Sequence, residues 1–324
     1  MMTDQYGYRS VKLRLKNSYL ASIMIRSILI IAFTFLFVLV NGQEIALTFD
    51  DAPTSDGPLF PGAMRTRRIL EQLHQENVPQ VAFFVITGNI NAAGKERLGQ
   101  YAAAGHFLAN HTRSHQSIEA LGVKQYNQDI ADADAVLRSM KGFMPWFRYP
   151  FLDEGKTKPV RDSIRQQLLT LGLTNGYVTV DNYDWYLNAL VKKAVTEKRT
   201  IHHEVLRQVY IDHVWESIMF YDSIGRKVLG RSPRHVLLLH ENDLTASFLG
   251  DLIRHIRSKG WKIISPVEAY RDPIASQVPD VLFNGQGRVA AIAREKGMLP
   301  RELVQESEDE AYLEKLFRDK KVIE

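Results

Sequence analysis

From Gln43 onward the chain predicts an α/β fold, on two observations. Short apolar segments alternate with longer amphipathic ones, and one of the short segments, "QVAFFVI", is apolar on both faces, as a buried parallel strand must be. In order, "IALTF" predicts a strand, "MRTRRILEQLHQENV" a helix and "QVAFFVI" a second strand. A helix around "GKERLGQYAAAG", a short strand "HFLAN" and a helix "YNQDIADADAVLRSMKG" follow. Further strands are expected at "WFRYP", "TNGYVTV", "HVLLLH" and "WKIIS". The helix "SIRQQLLTLG" precedes "TNGYVTV", and "TASFLGDLIRHIRSKG" lies between the last two strands, ending on Gly260 as helices often do. Such repeated βα units suggest a barrel or an open doubly wound sheet. Residues 186–231 leave this rhythm: they are helical in period, contain no strand and read as an excursion between two strands. Residues 273–324 are polar, with "EAYLEKLFRDKK" able to form a terminal helix docked outside the main core. The division expected is 1–42, 43–272 and a C-terminal extension, 273–324.

Composition narrows the chemistry. At 324 residues, 45% of them hydrophobic, the chain has the material for a sizeable core. Its 41 Lys and Arg against 37 Asp and Glu leave a net charge of only +4, without the clustered basic footprint that would make nucleic acid the main partner. The chain has no cysteine, which excludes thiolate catalysis, disulfides and Cys-ligated zinc, so that any metal must be held by His and carboxylate. Residues 27–40, "SILIIAFTFLFVLV", are almost uninterruptedly apolar and follow Arg9, Lys12, Arg14, Lys16 and Arg26. A basic stretch before an apolar one predicts a signal peptide, cleaved near Val40 and Gly42, or a retained membrane anchor; Met24 could also be the start of a compact leader. Either way, residue 43 onward is expected outside the cytoplasm.

In α/β folds chemistry gathers beyond the carboxyl ends of the strands. The first strand ends in Asp50 and Asp51; "HFLAN" runs into "HTRSH", placing His111 and His115 four residues apart; "WFRYPF" offers Arg148. "VTVDNYDW" offers Asp181, Asp184 and Trp185, and "HVLLLHEND" offers His240. One carboxylate and two neutral imidazoles can hold a divalent ion with positions left for water and substrate, while a second carboxylate takes the proton of the attacking water. Adjacent aspartates could thus divide the work, and a cation beside them would relieve their repulsion. Taken singly, each piece has a plainer reading: a turn or helix cap for Asp50-Asp51, a solvated face for the His pair, a structural ion pair for Arg148, a cap and core aromatic for Asp184-Trp185, a core histidine for His240. Their common position at strand ends favours a site.

"TFDD", "HTRSH", "RYPF", "DNYDW" and "LLLH", in this order over roughly residues 43–270, resemble the five motifs of the polysaccharide deacetylases, the NodB-homology or carbohydrate esterase family 4 enzymes. The resemblance implies a distorted (β/α) barrel, here with a helical insertion at 186–231 and a C-terminal helical tail. It also implies a divalent ion, commonly Zn2+, and removal of acetyl groups from N-acetylated or O-acetylated sugars. Carried over by position, Asp50 would be the general base, Asp51, His111 and His115 the metal ligands, and Arg148 the group that orients the base. His240 would be the general acid, partnered by Asp184 or Asp181, with Asp184 favoured. Trp185 and Tyr149 would wall the substrate groove, and the backbone N–H of Phe151 would help hold the oxyanion. The implied partner is an acetylated polysaccharide such as peptidoglycan or a chitin-like polymer of N-acetylglucosamine, with membrane attachment possible through the N-terminal segment.

Three departures bear on substrate rather than chemistry. Ala52 stands where the family has Gly, "LDE" intervenes before Gly155, and the 186–231 insertion is long. The remaining histidines, His74, His106, the His202-His203 pair, His213, His235 and His255, read as packing or surface residues, and "ESEDE" at 306–310 as a solvated helix start. A same-fold hydrolase of a non-sugar amide and a silent glycan-binding protein are the rival readings; the second would be expected to lack a base or an acid, and both Asp50 and His240 are present.

Overall fold

The computed structural model describes residues 42–324, so the leader or anchor expected at 1–42 lies, but for Gly42, outside the described residues. Among those residues no helix is long and apolar enough to cross a membrane. A seven-stranded parallel sheet organises them. Strand β1 (Glu44–Ala52) is followed by α1 (Gly62–Gln75), β2 (Ala82–Val85), α2 (Ala92–Ala103) and β3 (Phe107–Asn110). Then come α3 (Ile118–Leu121), α4 (Val123–Leu137), β4 (Phe143–Phe147), α5 (Lys158–Leu171) and β5 (Thr174–Asn175). Helices α6 (Asp184–Thr196) and α7 (His203–Leu229) precede β6 (His235–His240), α8 (Asp243–Ser258), β7 (Lys262–Ile263) and α9 (Pro266–Ala269). Helices α10 (Arg288–Glu295) and α11 (Glu310–Asp319) complete the order.

The strand order is β5-β4-β3-β2-β1-β6, with β7 also on β1. Past β5 the chain reaches round to β6, where Val180 bridges Leu237 and the Thr179 N–H donates to the Val236 carbonyl. The sheet is thereby curled into a distorted barrel. Strand β1 is central because its residues Ile45, Ala46, Leu47 and Phe49 are fully buried, leaving no face for water. Parallel register aligns the functional ends: Asp50 pairs with His240, Val85 with Asn110, and Asn110 with Phe147. One rim therefore receives every strand-end motif.

Two expectations change. The strand expected over 174–180 is paired with β4 only at Thr174 and Asn175. The Gly176 N–H still donates to the Phe147 carbonyl, and a Cβ there would lie 2.6 Å from the Phe84 ring, a close approach that only glycine permits; beyond it the chain passes to β6, where Val180 bridges Leu237. The terminal helix does not dock outside the main core either: Leu313 and Phe317 of α11, with Leu303, Val322 and residues Val289, Ala290, Ile292 and Ala293 of α10, are buried in the same cluster as β1 and β6. The 186–231 excursion is helical as expected, and α7 inserts Leu206, Tyr210, Val214, Ile218 and Tyr221 into that cluster at three- and four-residue spacing.

Because the tail is core rather than appendage, Phe317→Ala should lower the unfolding free energy by about 3 to 5 kcal/mol in a urea titration. A loss below about 1 kcal/mol would mean that the tail packs independently.

Candidate active site

Where the rim begins, the backbone turns sharply. Asp51 (φ 70°), Thr112 (65°), His115 (56°), Phe151 (58°) and Leu152 (50°) all lie in the left-handed region, which costs a non-glycine residue about 1 to 3 kcal/mol. Four of them line one cleft of about 320 Å3, so the strain is concentrated where side chains must be aimed. Asp51 Oδ1 lies 3.6 Å from His111 Nε2 and 3.3 Å from His115 Nε2. One ligand atom from each residue falls within 4.8 Å of the other two, the one such grouping among the described residues.

These residues fit a divalent cation. Among the described residues Asp51 Oδ1 is buried without a hydrogen-bond partner, and a shared cation is what would satisfy it. His111 Nδ1 lies 2.8 Å from the Arg148 carbonyl. A carbonyl only accepts, so Nδ1 carries the proton and Nε2 presents a lone pair to Asp51 and His115. Burial, helped by the neighbouring His115, pushes the His111 pKa down to about 3, so the ring is the neutral imidazole that metal ligation needs.

Asp50, beside this group, is buried, with Oδ2 3.6 Å from His111 Nε2. Arg148 Nη1 donates to Asp50 Oδ1 at 2.5 Å and to Thr48 Oγ1 at 2.9 Å, while Nε donates to the Gly176 carbonyl at 2.8 Å. Burial raises the Asp50 pKa and outweighs the opposing pull of Arg148 and His240. A carboxyl so raised is a better proton acceptor than a free aspartate. On β6, His240 Nδ1 donates to Asp184 Oδ1 at 2.6 Å and the His240 backbone N–H to Asp184 Oδ2 at 3.0 Å. Burial alone would lower the His240 pKa, but Asp184, with Asp51 and Asp50 beyond, raises it to about 10. The ring is then protonated at neutral pH. Asp184, not Asp181, is therefore the residue on His240; Asp181 lines the cleft and accepts the Asn182 N–H at 2.8 Å.

Phe151 (58% exposed) and Trp185 (40%) stand at the cleft mouth, and Tyr149 is buried in its wall. Among the described residues no backbone carbonyl takes the Phe151 N–H. Sequence reasoning missed Tyr183, Leu152, Leu238 and Gly285, which also line the cleft. Tyr183 was accessible inside "DNYDW", but nothing local marks Gly285. It also missed the charges beneath the rim. Glu241 is fully buried, receives Arg97 Nη2 at 2.5 Å and the Thr54 N–H at 2.8 Å, and donates its own N–H to the Asp50 carbonyl. Asp243 receives Arg65 Nε at 3.0 Å.

"ESEDE" is not solvated at its centre. Ser307 and Glu308 are buried, Glu308 accepting from Tyr221 Oη at 2.6 Å and from Gln286 Nε2 at 3.2 Å, and only Asp309 caps α11. After burial, Glu308 is the strongest influence raising the Asp181 pKa, which places the tail's charge behind the cleft wall. The other histidines stay away from the metal cluster. His213 accepts the Tyr183 N–H, His235 lies between Thr179 and Asp222, and His106 accepts the Val81 N–H.

The curled parallel barrel matches the NodB-type barrel of the carbohydrate esterase family 4 fold. Residues 39–176 match the family profile described as polysaccharide deacetylase. The matched segment, which carries "TFDD", "HTRSH" and "RYPF", covers less than half of the chain. It is 28% identical over 145 residues to a peptidoglycan-N-acetylglucosamine deacetylase of Bacillus cereus, covering 45% of this chain and 47% of that protein. It is 33% identical over 101 residues to a chitooligosaccharide deacetylase of Sinorhizobium fredii, covering 30% and 41%. The chain thus spans less than half the length of these two relatives. A polysaccharide deacetylase structure from Bacillus cereus superposes with a TM-score of 0.50 at 17% identity, over 69% of this chain and 91% of the other, a likeness of fold.

Removing a ligand and removing the neighbouring carboxylate should have different consequences. His111→Ala should lower zinc affinity at least about 100-fold in a competition titration, whereas Asp50→Asn should leave it within about tenfold. Equal losses would place Asp50 among the ligands.

Proposed function

We propose that the chain removes acetyl groups from N-acetylated sugars of a polysaccharide outside the cytoplasm, with a divalent ion, zinc by preference, held by Asp51, His111 and His115. The observation that carries this reading is that one cleft is lined both by Asp50, with its raised pKa, and by His240, held protonated by Asp184. When bound, the ion supplies a more acidic water and polarises the acetyl carbonyl.

Asp50 accepts the proton of the attacking water. Its free choice of orientation is removed by Arg148, whose guanidinium is itself pinned by Thr48, Gly176 and the face of Phe84, 3.7 Å away. The Phe151 N–H stands ready to donate to the oxygen that gains charge. His240 then gives its proton to the leaving nitrogen. An amine departs only once protonated, whereas an alkoxide leaves more readily, so a strongly basic imidazole favours an N-acetyl over an O-acetyl substrate. The exposed rings of Phe151 and Trp185 suit the apolar faces of sugar rings. The relatives' named substrates, peptidoglycan N-acetylglucosamine and chitooligosaccharide, support an N-acetylglucosamine polymer. The basic residues before the apolar 27–40 segment support export, or an anchor that leaves the barrel facing outside.

Acetate release from N-acetylglucosamine oligomers, peptidoglycan and acetylated xylan tests the reading directly. Release should vanish with chelator, return with zinc, and fall about 100-fold or more in Asp50→Asn. No release by the zinc-loaded protein from any of the three would overturn it.

The protonated form of His240 is the active one, so activity should decline as pH rises through its pKa. Asp184→Asn removes the charge that holds the proton, so the alkaline limb of kcat should move to lower pH. An unmoved limb would assign that limb to another group.

A further inference from the structure

Behind the wall formed by Tyr149 and Leu152, on the far side from the catalytic cleft, lies a chamber of about 40 Å3 that Arg165, Tyr177 and Arg288 also line. Tyr149, Arg165, Asn175, Tyr177 and Arg288 border in addition a surface groove of about 510 Å3, so the chamber is reached from solvent. Arg288, the first residue of α10, is only 6% exposed. Of the five N–H donors of its guanidinium, one has a partner: Nη1 donates to the Gln277 carbonyl at 2.8 Å. The guanidinium otherwise lies over the Tyr177 ring, 4.4 Å from its centroid. Among the described residues no carboxylate pairs with it. Glu154, which lines the same chamber, is already occupied by Arg165 Nε and Nη2 at 2.9 and 2.7 Å and by Asn175 Nδ2 at 3.2 Å.

Two further donors in the same walls are idle. The phenolic oxygens of Tyr149 (3% exposed) and Tyr177 (6%) are buried and make no hydrogen bond among the described residues. Buried polar groups are ordinarily paired, and a buried cation ordinarily has a counter-charge. Three groups with idle donors around one cavity, one of them a cation without a counter-charge among the described residues, define what is missing: a small anion with several acceptor oxygens. We propose that this chamber binds one oxyanion, a carboxylate or phosphate group, held by Arg288 with the hydroxyls of Tyr149 and Tyr177. Because Tyr149 and Leu152 face the catalytic cleft with their other sides, an occupied chamber would brace the loop that presents Phe151. The inference is independent of the deacetylase reading, since it concerns binding and not turnover.

The test is calorimetric titration of the full chain, stripped of metal so that the Asp51 cluster cannot recruit the anion, with glucuronate and with inorganic phosphate. One equivalent should bind, about tenfold or more weakly in Arg288→Gln and severalfold more weakly in the paired Tyr149→Phe, Tyr177→Phe variant. Tighter binding of glucuronate would assign the site to a sugar acid, and tighter binding of phosphate to a free or esterified phosphate. Failure of both anions to saturate the protein below about 10 mM would overturn the proposal, as would an affinity unchanged by Arg288→Gln. If circular dichroism shows Arg288→Gln unfolded, the tyrosine variant decides: unchanged affinity there overturns the site, and weakened affinity supports it.

Discussion

Arg148 is the residue on which the rim depends. It follows β4, yet its side chain reaches Thr48 and Asp50 on β1, the Gly176 carbonyl beyond β5 and, at 3.3 Å, the Tyr270 hydroxyl. Its backbone N–H donates to the Asn110 carbonyl on β3, and its own carbonyl takes the His111 Nδ1 proton. A single buried cation therefore fixes the orientation of Asp50 through one end and the tautomer of His111 through the other. Charge and backbone act here as one unit. The buried guanidinium is held by a carboxylate, two hydroxyls, a carbonyl and an aromatic face, which offset the cost of burying its charge.

Beneath the rim, Glu241 and Asp243 do for the loops what Arg148 does for the strands. With Arg65 and Arg97 they form a buried set of two negative and two positive groups. The set ties the turn after Asp51, through Thr54, to the turn after His240. The left-handed backbone at Asp51 costs free energy, and this ion network holds the segment in place despite it. Such a balanced set offsets its own desolvation only while complete, since loss of one member strands a charge.

Much of this was legible in the sequence because strands and chemistry share a local grammar. A buried parallel strand announces itself by unbroken apolar residues, and polar residues at its carboxyl end stand out against it; Asp50, Asp51, His111, His115, Arg148, Asp184 and His240 were all visible that way. The choice between Asp181 and Asp184 was not, because both follow the same segment and only the turn at Asn182 decides which carboxylate meets His240. Glu241 was hidden by its ordinary appearance in a polar stretch, though its burial is complete. Glu308 was misread for a related reason: acidic runs are usually solvated, and only the three-dimensional approach of Tyr221 and Gln286 makes one glutamate of five polar residues an interior group.

The tail has a consequence in time. Gly285 lines the cleft, Glu308 stands behind Asp181, and the segment around Ile323 pairs antiparallel with Ile201 while Val322 enters the core. A ribosome delivers these residues long after Asp50 and His111, so a nascent chain holds every strand-end motif before it can hold a finished cleft. Closure of the cleft and burial of the core therefore depend on residues far along the chain from Asp50 and His111.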